Sequence, residues 1–352
     1  MNKMKIILLA TDLDSKGGIS SVVREYLKGG LEDKVELYYI PTHIDGSILK
    51  KIGVFLNAVR RFIGLASQMK DSIVHLHTSQ DGSFFRKFML FCLAKIMGAK
   101  TLVHIHGSQF EVFMNKNGLF RTLCKFYFAK ADGIVVMSKK WLEWLSDFTE
   151  NKNIHVVYNP VSLIEARERN TADHLTILFM GKLGKRKGVY DILACLSRNK
   201  DFFREKHAKF ILAGDGEVEK VRIQVEADDL ADLVEVPGWV FSEQKQQYFS
   251  ASDILILPSY NEQMPMSILE AMGYGYPIIA SNINGIPDMV TNGENGFLFD
   301  PGDIEAMTQA LKKLCTDANL RDQMGKKSRE LVKNKFENTK IVNQIVSIYH
   351  SL

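Results

Sequence analysis

Cysteine is scarce in this chain, and none of its four copies, Cys92, Cys124, Cys195 and Cys315, stands in a C-x-x-C pair. That scatter excludes a zinc ribbon or a disulfide-stapled scaffold and points to a reducing, cytoplasmic compartment. No run of 18 or more apolar residues occurs, so no membrane-spanning helix is expected. The first ten residues lack a signal-peptide pattern, because Lys3 and Lys5 lead straight into the strand-like stretch 6–10. The first strand-to-helix loop lacks G-x-G-x-x-G, which argues against a nicotinamide dinucleotide site. Acidic residues are nearly missing from residues 50–130, where 3 face 13 basic ones. Residues 1–160 hold 22 Lys and Arg against 14 Asp and Glu, a net of +8, while the remainder nets −4. The basic surface therefore belongs to one half of the chain.

What is present suits a soluble globular protein of two domains, with 352 residues, 46% apolar and 24% charged. Strand and helix signals alternate twice. Residues 5–10 read as a buried strand, 11–18 as a loop carrying Gly17 and Gly18, and 19–27 as a helix. Two glycines in that position let a ligand approach the backbone, though an ordinary tight turn would look the same. A strand at 35–40 and an amphipathic helix over 50–70 follow. Two near-copies come next, I-V-H-L-H-T-S at 73–79 and L-V-H-I-H-G-S at 102–108, each placing two histidines on one strand face. The apolar helices at 84–100 and 119–130 carry basic residues and read either as core helices or as a membrane-surface face. After strands at 131–138 and 154–158, residues 161–173 are polar and aperiodic, the best domain linker in the chain. The alternation then restarts, with strands at 175–180, 209–213, 234–236, 254–257 and 277–281, a turn-rich return over 284–303 and helices from 304 onward. The fold expected is α/β, two doubly wound domains facing across a cleft, 1–162 and 163–335, with the last helix, about 336–352, packing back on the first.

Three glycine-bearing loops of the second half follow strands and should share one rim: 181–188, 214–217 and 258–264. Lys182, Lys185, Arg186 and Lys187 gather positive charge there. Pro258 ends a strand and Pro265 suits a helix start. Free N–H groups are then expected around Met264, Met266 and Ser267, the design of a phosphate site. Glu262 before that helix and Glu270 inside it are puzzling, since carboxylates repel phosphate. As acceptors they suit hydroxyls. A ligand with a central diphosphate and a polyol at each end, a nucleotide sugar, resolves the puzzle.

The spacing Glu262-x₇-Glu270 resembles the signature of retaining glycosyltransferases of family 4, which have the GT-B fold. The resemblance extends to Gly17-Gly18, His106-Gly107, Gly181-Lys182, Lys187-Gly188, the stretch A-G-D-G-E at 213–217 and N-G-F-L-F-D-P-G-D at 295–303. It implies that Lys187 contacts the donor diphosphate and stabilises the departing nucleotide, with Lys182 standing where the family more often has arginine. It implies Glu270 on the ribose, Glu262 near the sugar hydroxyls, His106 near the reacting sugar and Gly18 close to the phosphate. Gly17, Gly214 and Val240 complete the expected nucleotide-sugar contacts. Gln263-Met264-Pro265 departs from the family's usual Gly-Phe-Pro, which leaves the sugar open.

The implied catalytic set is His106, Lys187 and Glu262, acting without metal or cofactor. The implied reaction is a retaining, front-face transfer from a UDP-sugar, or a GDP-sugar, to a lipid-linked saccharide or glycolipid. Lys187 and the helix N-terminus would stabilise the leaving anion. The basic half would meet a membrane surface; no nucleic-acid partner is expected. Three rivals stand beside this reading: a metal-dependent hydrolase using the H-x-H pairs, a metal site at Asp12-x-Asp14, and an inactive nucleotide-sugar-binding protein.

Overall fold

A computed structural model describes residues 3–164 and 174–352, the side chain of Ser242 aside. Most of the stretch read as linker, 165–173, lies outside the described residues. The chain divides into two compact units, Met1–Ser162 with Phe336–Leu352, and Leu163–Lys335.

The first unit holds six parallel strands: β1 Lys5–Ala10, β2 Glu36–Pro41, β3 Ser72–Thr78, β4 Lys100–Ile105, β5 Gly133–Val136 and β6 Ile154–Val156. Their order is β2-β1-β3-β4-β5-β6. Helices cover both faces, so most strands are near-continuous apolar runs such as K-I-I-L-L-A in β1. β3 and β4 depart from that rule. Val74, Leu76 and Val103 point into an apolar core, while the residues alternating with them are His75, His77 and His104, fully buried on the opposite face.

The second unit repeats the plan with β7 Leu175–Met180, β8 Ala208–Ala213, β9 Val234–Gly238, β10 Ile254–Leu257, β11 Ile278–Ser281 and β12 Gly296–Phe299. The order is β12-β11-β10-β7-β8-β9, again all parallel. In each sheet the winding direction reverses once, between β1 and β3 and between β7 and β10. A crevice opens at the carboxyl ends of the strands at such a reversal, and ligands of doubly wound sheets bind there.

Two elements differ from the sequence reading. β12 lies inside the stretch read as a turn-rich return; its four residues, G-F-L-F, are too few to show a period and pair only with β11. The helix expected over 50–70 runs Ile48–Gly64 and then tightens into a 3₁₀ segment, Ala66–Asp71. The apolar helix Gly82–Ile96 buries Phe84, Leu90, Phe91 and Ala94 yet exposes Phe85, Met89 and Ile96. Helix Ile48–Gly64 exposes Ile48, Leu49, Ile52 and Leu56, each at least half accessible. Among the described residues, eleven of the fourteen exposed large apolar side chains belong to the first unit. No helix among them is long and apolar enough to cross a membrane.

The chain re-enters the first unit beside its point of exit. Val161 N donates to Phe336 O at 2.9 Å and Asn338 N to Val161 O at 3.0 Å. Buried Glu25 accepts from Ser162 Oγ at 2.6 Å and from Asn338 Nδ2 at 3.3 Å. The returning helix, Asn338–Ser351, then brings Tyr349 Oη within 2.7 Å of His75 Nδ1.

Candidate active site

Three loops at the carboxyl ends of β7, β8 and β10 are laced together by their backbones. Gly181 N donates to Ala213 O at 2.9 Å, Leu183 N to Asp215 O at 2.6 Å, Glu217 N to Leu183 O at 2.9 Å, and Tyr260 N to Arg186 O at 2.9 Å. Such approach needs glycine. A Cβ on Gly214 would lie 1.8 Å from Gly181 O, and one on Gly188, which has φ +73°, would lie 2.0 Å from Pro258 O. The expected common rim therefore exists, at the winding reversal of the second sheet.

Into that rim project the groups picked out from the sequence. Lys187 and Glu262 are both largely buried, and Lys187 Nζ pairs with Glu262 Oε1. Arg186 Nη1 reaches the same oxygen at 3.2 Å and also donates to Asn261 O at 2.8 Å. Asn284 Nδ2 holds Glu262 O at 2.7 Å. Glu270, on helix Met266–Tyr274, takes Lys245 Nζ on Oε1 at 2.6 Å. Each acid thus carries its own cation, so the repulsion that made the acids puzzling is largely cancelled within the protein.

Helix Met266–Tyr274 starts at Pro265 with no side-chain cap, leaving first-turn N–H groups unfilled by a cap. Ser267 and Met264 are buried there and Met266 is half-buried. Gly214 N donates to Gly238 O at 2.8 Å, which draws the β9 end and the buried Val240 toward the same loops. Lys182 is exposed on the rim. Buried Ser259 Oγ, Asn261 Oδ1 and Ser281 Oγ have no hydrogen-bond partner, and all three follow or end β10 and β11. A groove of about 660 Å³ in the same unit is lined by Thr176, Lys209 and Phe210, at the amino ends of β7 and β8. It lies away from the glycine rim and its charged groups.

In the first unit, Gly17 and Gly18 open helix Gly18–Lys28, exposed, with nothing within 4 Å of where a Cβ would sit. His106 follows β4, half-buried, and its Nε2 lies 2.8 Å from Nδ1 of buried His77. The first histidine pair is thereby linked to the second. Burial holds all four histidines neutral; His75 and His106 are pushed down to about 3, the latter also by the charge of Lys87. A neutral imidazole donates from one nitrogen and accepts on the other. His77 Nε2 is buried without a partner. An orphaned N–H is rarer in folded proteins than an orphaned acceptor, so we assign the proton of His77 to Nδ1, donating to His106 Nε2. His106 then presents Nδ1–H, a nitrogen with no protein partner among the described residues.

His75, His77 and His104 also bring ligand nitrogens within 4.8 Å of one another. His75, however, spends both ring nitrogens, on Tyr349 Oη at 2.7 Å and His104 Nδ1 at 3.3 Å. No carboxylate joins the group, and the charge of Lys87 is felt at His77. His77 hydrogen-bonds His106, His75 hydrogen-bonds His104 and Tyr349, and the two pairs meet by ring contact. Asp12 Oδ1 of the D-x-D stretch accepts from Asp14 N at 3.1 Å, capping its own turn.

Sequence reasoning passed over Lys245 and Lys87, and weighed His77 only as a possible metal ligand of its H-x-H pair. The matched H-x-H copies held the signal for His77: on adjacent parallel strands they register two residues apart, which sets His77 beside His104 and within reach of His106. Lys87 showed only as one lysine inside an apolar helix.

The chain matches the family profile described as "Glycosyltransferase Family 4" over residues 7–164 and that described as "Glycosyl transferases group 1" over residues 161–331. An uncharacterized glycosyltransferase of Haemophilus influenzae is 30% identical over 246 residues, 68% of either chain. The UDP-Gal:alpha-D-GlcNAc-diphosphoundecaprenol alpha-1,3-galactosyltransferase of Escherichia coli is 27% identical over 340 residues, 91% of this chain and 84% of that one. Among solved structures, Anabaena Alr3699/HepE in complex with UDP superposes with a TM-score of 0.79 at 15% identity, covering 99% of this chain and 100% of that one.

Proposed function

The chain belongs to the family 4 type of GT-B glycosyltransferases, and from that premise we propose which transfer it performs. It moves a hexose or N-acetylhexosamine from a nucleotide sugar, UDP-linked in preference to GDP-linked, to a hydroxyl of a lipid-linked saccharide or glycolipid in surface polysaccharide synthesis. The anomeric configuration is retained and no metal is required.

One observation carries this reading: buried Lys187 and Glu262, paired with each other on the interlocked glycine rim at the β7/β10 reversal. In the reaction the bond from the anomeric carbon to the diphosphate oxygen breaks. A new bond forms on the same face to the acceptor oxygen, and the acceptor proton passes to the departing phosphate. Lys187, Arg186 and the first-turn N–H groups of helix Met266–Tyr274 offset the charge growing on the leaving group. These groups supply the positive charge that a divalent ion would otherwise bring. Glu262 and Glu270 accept from sugar and ribose hydroxyls, and His106 donates Nδ1–H toward the reacting sugar. The E. coli relative, whose name gives a UDP-sugar donor and a diphosphoundecaprenol-linked acceptor, supports the substrate classes.

The exposed apolar and basic helices of the first unit support docking on an anionic membrane at the cytoplasmic face, each nearby basic residue adding about 1 kcal/mol. Flotation with anionic liposomes checks this; salt-insensitive absence of binding removes it. A thermal-shift panel of nucleotide sugars fixes the donor, and product anomer analysis tests retention. Transfer undiminished in excess chelator is expected. Its abolition, restored by added metal, overturns metal independence.

A further inference from the structure

Lys87 is the anomaly of the first unit. Its side chain is 1% exposed, on the second turn of helix Gly82–Ile96. Nζ has one protein partner, Thr42 Oγ1 at 2.5 Å. That hydroxyl gives its own proton to Ala10 O at 2.9 Å, so it receives from Lys87 as a neutral acceptor. No carboxylate pairs with Lys87 among the described residues. Two of the three ammonium donors are therefore unspent in a buried setting, an arrangement that costs stability unless something else answers it.

Its surroundings are equally short of acid. The neighbouring Arg86 keeps Nε buried and unpartnered, and so does His43 with Nδ1. Burial and then Arg86 lower Lys87, and burial followed by the charges of Arg86, Lys51 and Lys87 lowers His43, so these groups feel one another's charge. Asp45 is the one acid felt there. Its carboxylate is exposed and accepts the backbone N–H of Lys16 at 2.7 Å. The position in the fold is specific too. Thr42 and His43 follow β2, Ala10 ends β1, and Lys87 rides the helix that follows β3. These elements meet at the carboxyl side of the β1/β3 reversal, where a doubly wound sheet binds its ligand.

We propose that Lys87, Arg86 and His43 form a binding site for a phosphate or diphosphate group in the first unit, separate from the rim that carries Lys187, and that the group it takes is the diphosphate linking the acceptor saccharide to its lipid. Arg86 and His43, half-buried, meet the anion at the surface, and Lys87 supplies charge from behind them. The anion supplies the counter-charge that the protein withholds, so affinity here depends on an ammonium left unpaired. Naming the acceptor as the source rests on the transferase reading above; the anion site does not.

The test uses the full chain and two probes, inorganic pyrophosphate and uridine or guanosine diphosphate. Lys87→Met keeps the length of the side chain and removes the buried charge, so its melting temperature should match or exceed that of the parent. With saturating nucleoside diphosphate present, pyrophosphate should bind the parent and bind Lys87→Met at least tenfold more weakly. Arg86→Gln should weaken it as well. Nucleoside diphosphate affinity should stay within twofold in Lys87→Met and fall in Lys187→Met. Equal pyrophosphate affinity in parent and Lys87→Met overturns the site. A tenfold loss of nucleoside diphosphate in Lys87→Met overturns the acceptor assignment and gives the group to the donor. Failure of the parent to bind any nucleoside diphosphate would sink the transferase reading, while the pyrophosphate comparison would still decide the site.

Discussion

The two sheets share a winding plan and treat charge in opposite ways at its reversal. In the second unit the cations around the two acids are answered: Lys187 and Arg186 by Glu262, Lys245 by Glu270. In the first, Lys87 has only a hydroxyl, and four histidines are kept neutral by burial. The difference teaches how each site is held ready. We propose that the paired ions keep the second site ordered and release their charges to a ligand by exchange. On the anion-site proposal, the first unit leaves Lys87 without a counter-charge, at a cost in stability that binding of an anion would recover.

The sharpest way to break this contrast is to remove the answering acid. Glu262→Gln should lower turnover by roughly 10²–10³-fold without weakening nucleoside diphosphate, because Lys187 loses its competitor. Steady-state kinetics beside calorimetry checks this, and parallel losses of turnover and affinity would contradict the exchange. Lys187→Met should cost nucleoside diphosphate one charge-assisted hydrogen bond, about 1.5–3 kcal/mol or roughly 10–100-fold in Kd. A thermal shift by nucleoside diphosphate equal to that of the parent would refute the assignment.

In the first unit, His77→Leu deletes the donor to His106 Nε2, worth about 1 kcal/mol or roughly fivefold in kcat, with donor KM unchanged. His77→Asn, which keeps an N–H near the Nδ1 position, should restore most of it. Ring ¹⁵N shifts of His106 should change tautomer in the leucine variant alone; identical spectra in both would leave His77 a packing residue.

The comparison can also be sharpened through pH, and the sign is fixed by proton uptake. His75 titrates near 3 when folded and at its ordinary 6.5 when unfolded, so between these values the unfolded chain holds the extra proton. Stability is full above 6.5 and declines as pH falls toward 3, by up to about 1.4 kcal/mol per pH unit for each such histidine. Lys87, lowered to about 7 by burial and then by Arg86, makes stability rise between pH 7 and 10.5. Urea melts of Lys87→Met should lose that alkaline rise and keep the acid decline. An unchanged alkaline rise would show that Lys87 is charged and solvated in the folded chain.

Much of this was readable beforehand. β7 and β10 match the expected ranges because Gly181 and Pro258 stop them sharply. The glycine loops were placed on one rim because all follow strands of one sheet. The pairings were not readable. Glu262 finds Lys187 across 75 residues only through the meeting of two loops, and Lys245 finds Glu270 from a separate helix. Likewise Lys87 looks like any solvated lysine until Thr42 is known to sit over it. Periodicity reports which face is buried, but not who stands opposite.

The returning helix has a consequence for how the molecule is made. Tyr349, which closes over His75, is synthesised 187 positions after Ser162, with the whole second unit between them. At about 5–20 residues per second, translation leaves the histidine face of the first unit uncovered for about 10–40 s. The first unit is thus completed only after the whole second unit has been synthesised.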